Sequence, residues 1–316
     1  MKSRLLSFVV IWGVIAAALV LGKVWAGLAI LLFVTGAAHW EFFQILGGCG
    51  AGGVARRAPM GVALGVLTLA LLAWGLLAPA GSGGGFLTGY TPGAERGLGI
   101  AVPGLLIGAV TLVLLFADRE KLIAIFTRWP TALTFLLVPC SMAPLSELAA
   151  ERWRGGLTLT GDASGLLLVL WLVAVVKFGD CGGLVVGCSL GRHKLAPSIS
   201  PAKTWEGCAG ALLFSAVTGG ALAWLFGHCR AQLGFDPVLA RHFTPLTGAL
   251  LALPLSALGI ASDLVESVFK RKAGVKDSGA TIPGIGGAFD LLDSLLLTAP
   301  AGFVLLKIFV FKVSFL

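Results

Sequence analysis

Long apolar runs constrain this chain more strongly than any other feature of its sequence. They recur along its 316 residues in windows of about 20, the length that an α-helix needs to cross the hydrocarbon core of a bilayer. Charged residues make up only 12% of the chain, about half of the share found in soluble domains. The sequence therefore predicts an all-α fold, that of a polytopic helical membrane protein.

About nine transmembrane helices are expected from these windows. The first of them has the basic start of a signal peptide but no clear small-residue cleavage site, so we interpret it as an uncleaved helix. The nine helices are predicted at residues 5–22, 25–46, 60–79, 98–117, 122–144, 165–187, 208–227, 246–269 and 288–311.

The Lys and Arg residues between the predicted helices give an orientation. Thirteen of them fall on the side that carries the N-terminus and the loops after the even-numbered helices, and six fall on the other side. Because positive charge is enriched on the cytoplasmic side of a membrane, the first side should face the cytoplasm. The net charge of +8 is then explained by orientation and by contact with anionic lipid or nucleotide, and we expect no nucleic acid partner.

Polar residues are concentrated in the second half of the chain. We therefore predict two regions, a frame of N-terminal membrane helices over residues 1–160 and a C-terminal region over residues 161–316 that carries two polar stretches. Both stretches fall on the predicted cytoplasmic side.

The more charged of the two stretches runs from Ser262 to Ser294. It contains five carboxylates and four cations between two apolar runs, and charge of this density beside a bilayer usually marks a functional site. These residues are Asp263, Glu266, Asp277, Asp290, Asp293, Lys270, Arg271, Lys272 and Lys276.

The spacing of the carboxylates predicts a metal site. Asp263 and Glu266 share one helix face, as do Asp290 and Asp293, and the Gly-rich loop between the two pairs can turn the chain back on itself. We expect Asp263 to face Asp290 across a shared Mg²⁺, which binds carboxylates and phosphates together. The neighbouring cations would then hold phosphates, although the run from Lys270 to Lys272 is also typical of an ordinary cytoplasmic helix end.

The other polar stretch, Asp180 to Gly207, has the composition of an anion site. Lys203 offers charge, Ser200 and Thr204 offer hydroxyls, and Trp205 offers a stacking face. The same residues also fit a helix start, with Ser200 as N-cap and Pro201 in the first position. Both interpretations stand, because a helix N-terminus itself attracts anions.

Three further polar features are less specific. Glu41 is either a site residue or an interfacial residue beside Trp40, and we favour the interfacial interpretation because Trp is enriched at membrane interfaces. The mixed charges of the loop 145–162 are typical of a solvated face. His193 has no companion metal ligand nearby, so a phosphate or surface contact is expected.

Together the two stretches resemble the phosphatidate cytidylyltransferase (CDP-diacylglycerol synthase) family. The upstream match comprises Asp180, Gly182, Gly187, His193 to Pro197 and Ser200 to Gly207. The segment Trp40 to Phe42 also matches a Trp-Glu-Phe segment of the family. The downstream match comprises Ser267, Lys270, Arg271, Lys276, Asp277, Gly279, Pro283, Gly286, Gly287, Asp290 and Asp293.

The sequence departs from the family pattern at three positions. Ile285 stands where the family has His, Leu291 replaces the Arg between the final two carboxylates, and Leu184 replaces a Tyr. The missing Arg removes a counter-charge beside Asp290 and Asp293. These carboxylates are therefore expected to depend more strongly on metal.

The resemblance implies nucleotidyl transfer from CTP to phosphatidate in the bilayer. The lipid phosphate would attack the α-phosphorus of CTP, releasing pyrophosphate and forming CDP-diacylglycerol for phospholipid synthesis. Residues 161–316 would be the catalytic region. The resemblance further implies a homodimer in the inner membrane of a bacterium, with the active site facing the cytoplasm.

The resemblance also assigns roles to individual residues. With the carboxylate spacing it leads us to expect Mg²⁺, with room for a second cation, on Asp263, Asp277, Asp290 and Asp293, of which Asp263 lies outside the matched residues. Lys276, Asp277, Asp290 and Asp293 would be the catalytic residues. The substrate-binding residues would be Asp180, Lys194, Ser200, Lys203, Thr204, Trp205, Glu206, Lys270 and Arg271.

Two other functions fit parts of the pattern. A CTP-dependent polyprenol or phytol kinase would use similar polar loops but would transfer the γ-phosphate and release CDP. A transporter would need carboxylates at the bilayer midplane and two repeated halves, whereas the acids here cluster beside the ends of the predicted helices.

Overall fold

The computed structural model describes residues 23–48, 109–128, 145, 148, 164–279 and 286–311. The predicted helices 5–22 and 60–79 lie outside these residues, as do parts of 98–117 and 122–144, most of the loop 145–162, and Ile285. The described elements, in chain order, are α1 (Lys23–Gly48), α2 (Arg119–Arg128), α3 (Ser164–Leu190), β1 (Lys194–Ala196), β2 (Ser200–Thr204), α4 (Trp205–His228), α5 (Arg230–Leu233), α6 (Pro237–His242), α7 (Pro245–Lys272), α8 (Ala288–Leu292) and α9 (Leu295–Phe309).

Four described helices are long and apolar enough to cross a membrane. They are α3, α4, α7 and the segment Ala288–Phe309, which comprises α8, a two-residue turn and α9. These helices confirm a mostly helical membrane fold. The count of nine spans stays a prediction.

Glycine contacts hold α4 tightly between α3 and α7. A Cβ added to Gly182 of α3 would lie 2.8 Å from the carbonyl oxygen of Gly210 of α4, and a Cβ added to Gly219 of α4 would lie 2.6 Å from that of Gly248 of α7. Both distances are too short for a side chain, so these backbones approach each other directly. Small residues allow this close packing between membrane helices.

A short hairpin interrupts the helices after α3. Strands β1 and β2 are antiparallel, with Lys194 opposite Thr204 and Ala196 opposite Ser200. The helix start proposed at Ser200 is therefore wrong. The N-cap is Thr204, whose Oγ1 accepts a hydrogen bond from the Gly207 amide at 3.1 Å, because residues 200–204 pair with β1 before the helix begins.

Aromatic packing joins the N-terminal part of the chain to the C-terminal helices. The Phe42 ring of α1 stacks on Phe289 of α8 with centroids 4.6 Å apart, and it meets Phe269 of α7 edge-on at 5.5 Å. Phe126 of α2 packs against Phe269 at 4.8 Å. All four rings are buried, and they fix α1, α2, α7 and α8 around one end of the charged stretch.

Helix α2 is a separate short helix at the start of the predicted span 122–144. Asp118 precedes it and accepts a hydrogen bond from the Lys121 amide at 3.1 Å. This contact and the Lys121 ammonium, 3.1 Å away, hold the pKa of Asp118 below its usual value. Residues 129–144 lie outside the described part of the chain.

Candidate active site

Three carboxylates meet where α7 passes the turn between α8 and α9. Asp263 and Glu266 come from one face of α7 and Asp293 comes from the turn, and one oxygen of each lies within 4.8 Å of the others. We call these three residues the carboxylate cluster. Carboxylates held this close in a poorly solvated setting repel one another unless a cation lies between them.

Glu266 is the most buried member of the carboxylate cluster. Its side chain is 0% exposed, and its Oε1 accepts no hydrogen bond from any residue that the structure describes. Its Oε2 lies 2.7 Å from the Lys270 Nζ. A buried carboxylate oxygen without a donor is unfavourable, so Oε1 is available to a cation.

A lysine from the hairpin joins the two polar stretches. Lys203 of β2 places its Nζ 2.6 Å from Asp263 Oδ2 and donates to the Ile260 carbonyl oxygen at 3.3 Å. The two stretches, predicted only to lie on the same side of the membrane, are in direct contact through Lys203 and Asp263. This contact explains why Lys203 is half-buried rather than exposed.

A second lysine reaches the cluster from within α3. Lys177 Nζ lies 3.2 Å from Asp293 Oδ1 and 3.4 Å from Asp180 Oδ2. It also donates to Ser294 Oγ at 2.7 Å. Asp180, expected to bind substrate, is thus linked to the carboxylate cluster through a lysine that sequence reasoning missed.

Asp290 does not face Asp263 as expected. It accepts hydrogen bonds from the backbone amides of Gly287 at 2.7 Å and Ser278 at 3.0 Å, and it lies 3.0 Å from Lys270 Nζ. These contacts place Asp290 over the first turn of α8, where its charge favours the helix N-terminus. Asp293, not Asp290, is the carboxylate that joins Asp263 in the described part of the site.

Glu41 corrects another prediction, since it is not an interfacial residue. Its side chain is buried, and its Oε2 accepts hydrogen bonds from the Phe289 amide at 2.8 Å and from Ser278 Oγ at 3.2 Å. Ser278 Oγ in turn accepts a hydrogen bond from the Asp290 amide at 3.2 Å. Glu41 therefore fixes the start of α8 and the turn at Ser278. Trp40 beside it is 37% exposed, and its interfacial position stays a prediction.

Glu206 supports the hairpin from the first turn of α4. It accepts hydrogen bonds from the backbone amides of Arg192 at 3.1 Å and His193 at 3.2 Å, and its Oε1 lies 2.6 Å from His193 Nδ1. Its carboxylate is thus engaged within the chain. Beside it Trp205 is 61% exposed, which leaves its ring open to a ligand.

The remaining predicted residues lie at the surface. Lys194, Arg271, Lys276 and Asp277 are exposed and Ser200 is half-buried. Arg271 lines a cavity of about 220 Å³ together with Arg119, Glu120, Ile123, Ser198, Ile199, Val268 and Lys272.

Sequence reasoning missed Lys177 and Ser278, favoured an interfacial role for Glu41 and gave Glu266 no role of its own. One signal was present for two of them, because Lys177 and Glu41 are charged residues inside apolar runs, where burial of charge is expensive without a partner. Nothing in the local sequence of Ser278 points to a distant carboxylate.

Comparison with known proteins supports the resemblance. A family model described as the cytidylyltransferase family matches residues 2–309. The chain is 39% identical over 136 residues to a phosphatidate cytidylyltransferase of Haemophilus influenzae, covering 43% of this chain and 44% of that protein. It is 40% identical over 148 residues to the phosphatidate cytidylyltransferase of Bacillus subtilis, covering 47% and 50%.

A third relative matches this chain over a similar length. The chain is 39% identical over 157 residues to the phosphatidate cytidylyltransferase of Synechocystis, covering 50% of this chain and 48% of that protein. The chain thus spans about half the length of the curated relatives that it matches.

Proposed function

This chain belongs to the cytidylyltransferase family, and from that premise we propose that it transfers the cytidylyl group of CTP to phosphatidate. A phosphate oxygen of the lipid forms a bond to the α-phosphorus of CTP as the bond to the β-phosphate bridging oxygen breaks. CDP-diacylglycerol and pyrophosphate are the products. The relatives' names and the joined polar stretches support this reaction.

The carboxylate cluster suits a divalent cation. Asp263, Glu266 and Asp293 supply hard oxygen ligands, and the unpartnered Oε1 of buried Glu266 is the observation that favours a cation there. Mg²⁺ prefers such ligands, and when bound it would stabilise negative charge on the reacting phosphates. Asp277 and Asp290 remain predicted ligands, and a second cation remains a proposal.

The basic and aromatic residues of the two polar stretches, together with Lys177, have separate tasks in this proposal. Lys203, Lys270 and Lys177 limit repulsion among the carboxylates, since one lysine lies within 3.2 Å of each of the three. Exposed Lys276 and Arg271 attract the phosphates, and exposed Trp205 offers a face on which the cytosine base can stack. The chain needs no nucleophile of its own, because the lipid phosphate supplies one.

The buried Glu266 carboxylate within the cluster carries this proposal, and product analysis tests it. Purified protein with phosphatidate, CTP and Mg²⁺ should form CDP-diacylglycerol and pyrophosphate in equal amounts, and chelation of the metal should stop both. The Asp293→Asn variant should lose at least about 100-fold in kcat, because it removes one charged oxygen from the cluster.

The controls separate this reaction from its alternatives. Asp236→Asn makes the same chemical change at the N-cap of α6, where Asn caps equally well, and it should keep the activity of the unmodified protein. Release of CDP with a polyprenol acceptor, and no CDP-diacylglycerol, would favour a lipid kinase. Full turnover by folded Asp293→Asn protein would refute the role of the cluster.

The setting of the reaction is part of the proposal. Four apolar helices and bacterial relatives support a bacterial inner membrane protein, and the excess of cations on one side supports a site that faces the cytoplasm. The homodimer rests on the family resemblance. Light scattering of the detergent-solubilised protein would test it.

A further inference from the structure

Lys177 is a half-buried cation in the middle of an apolar helix. It belongs to α3, and its side chain is only 15% exposed. A lysine at such a position is expensive unless carboxylates or other acceptors surround it. The structure gives it three acceptors from two separate parts of the chain, Asp180, Asp293 and Ser294.

Lys177, Ser294 and Asp180 form a closed ring of polar contacts, and Lys177 joins this ring to Asp293 of the carboxylate cluster. Lys177 Nζ donates to Ser294 Oγ at 2.7 Å, and that hydroxyl donates to Asp180 Oδ2 at 3.0 Å. The same Nζ lies 3.4 Å from Asp180 and 3.2 Å from Asp293. Ser294 is 0% exposed, so no solvent competes for its hydroxyl. The ring limits the orientations open to the Asp293 carboxylate.

Leu291 leaves Asp290 and Asp293 without a positive charge between them in their own segment. The resembled motif places an Arg between its last two carboxylates, whereas this chain has Asp290-Leu291-Leu292-Asp293. The aliphatic side chain of Leu291 supplies no charge to either neighbour. Among the lysines at the cluster, Lys203 and Lys270 lie inside the matched stretches, and Lys177 lies three residues before the first matched carboxylate.

We propose that Lys177 is a positioning residue that fixes the Asp293 carboxylate, in place of the arginine that this chain lacks at position 291. The inference rests on the proposed function, because it treats Asp293 as a ligand of the catalytic cation. In the resembled motif the positive charge belongs to the same segment as the last two carboxylates, whereas in this chain it comes from α3.

Metal affinity distinguishes positioning from simple charge balance. Removing a positive charge beside the carboxylate cluster would by itself strengthen the binding of a divalent cation. Losing the group that holds a ligand in place weakens it, typically 10–100-fold. The two roles therefore predict opposite shifts.

The experiment measures Mn²⁺ binding to the full-length, substrate-free protein by electron paramagnetic resonance. Lys177→Met should bind Mn²⁺ about 10–100-fold more weakly, while Lys177→Arg should stay within about threefold of the unmodified protein because it keeps the charge. Lys177→Met/Leu291→Arg should recover most of the loss. Lys307→Met is the matched control, because Lys307 is a buried lysine of α9 packed between Phe303 and Phe311.

Turnover gives a second measurement. For Lys177→Met we expect kcat to fall about 10–100-fold while the KM for CTP changes little, since Lys177 touches the ligand of the cation and not the nucleotide. A folded Lys177→Met protein that binds Mn²⁺ equally or more tightly would overturn the proposal. So would a folded double variant with no recovery.

Folding and function can be separated in this design. If Lys177→Met does not fold, the double variant decides, because its cation at position 291 should restore both folding and Mn²⁺ binding. If the unmodified protein forms no CDP-diacylglycerol, the proposed function fails. The Mn²⁺ series still tests Lys177, because it contains no substrate.

Discussion

At the scale of single residues, the site is a set of carboxylates whose surroundings give them different tasks. Glu266 is buried, and its Oε1 has no hydrogen-bond donor among the described residues. Asp290 accepts hydrogen bonds from two backbone amides, and Glu41 accepts one from a backbone amide and one from a hydroxyl. The same functional group can therefore be available to a cation or occupied in supporting a loop. Hydrogen-bond partners decide which of the two applies.

The contacts of Glu41 lead to a prediction about a single residue. Glu41→Ala leaves the buried amide of Phe289 without its acceptor, and such a loss typically costs about 1–3 kcal/mol. We expect a lower midpoint in thermal unfolding and weaker Mn²⁺ binding, because the turn at Ser278 loses its anchor. Gln44→Ala, an exposed position on the same helix, should change neither measurement. An unchanged midpoint for Glu41→Ala would contradict this role.

The residue types at the site were readable from the sequence, but their partners were not. Helical spacing correctly paired Asp263 with Glu266 on one face of α7. It could not show that Asp290 turns to the amides of Ser278 and Gly287, because that depends on the backbone path of the loop. Nor could it show that Glu41 reaches Phe289, 248 residues away.

At the scale of elements, the apolar pattern predicted the long described helices but did not predict the hairpin. The spans predicted at 165–187 and 246–269 correspond to Ser164–Leu190 and Pro245–Lys272, because a long apolar run predicts a helix from composition alone. Both helices extend three residues beyond their predicted C-terminal ends. The hairpin depends on pairing between two short segments. Its hydroxyls and Pro201 looked like a helix start, and the pairing with β1 prevailed over that local preference.

Helix α4 provides a prediction with its own internal control. An added Cβ at Gly219 would meet the Gly248 carbonyl at 2.6 Å, while one at Gly227 on the same helix meets nothing within 4 Å. Gly219→Ala should therefore force α4 away from α7 and destabilise the fold by about 1–3 kcal/mol. Gly227→Ala should be neutral or slightly stabilising, because alanine favours the helix.

Thermal unfolding in one detergent would compare the two variants of α4. A midpoint that falls only for Gly219→Ala confirms close packing between α4 and α7. Equal midpoints for both variants would show that α4 and α7 do not approach this closely in the solubilised protein.

At the scale of the whole molecule, the two ends of α4 should lie on opposite sides of the membrane. The hairpin and the carboxylate cluster adjoin its first turn, and α5 follows its other end. Ser198 in the hairpin turn and Gln232 in α5 are both exposed. They therefore report the two sides without disturbing the packed interior.

Thiol labelling tests the orientation. In a variant with all six cysteines replaced, Ser198→Cys should react with an impermeant maleimide only in inside-out vesicles. Gln232→Cys should react only in intact spheroplasts. If the two sites react from the same side, α4 does not cross the membrane. If both patterns are reversed, the site faces away from the cytoplasm.

The bond between Glu41 and Phe289 limits how such a chain can be recombined. A hybrid that joins the first helices of one relative to the last helices of another would keep Asp263, Glu266 and Asp293. It would still lose an anchor of the turn unless its new N-terminal part brought a carboxylate to the Phe289 amide. The predicted boundary at residue 160 is therefore no safe crossover point. The two regions are expected to be inherited, and engineered, as a pair.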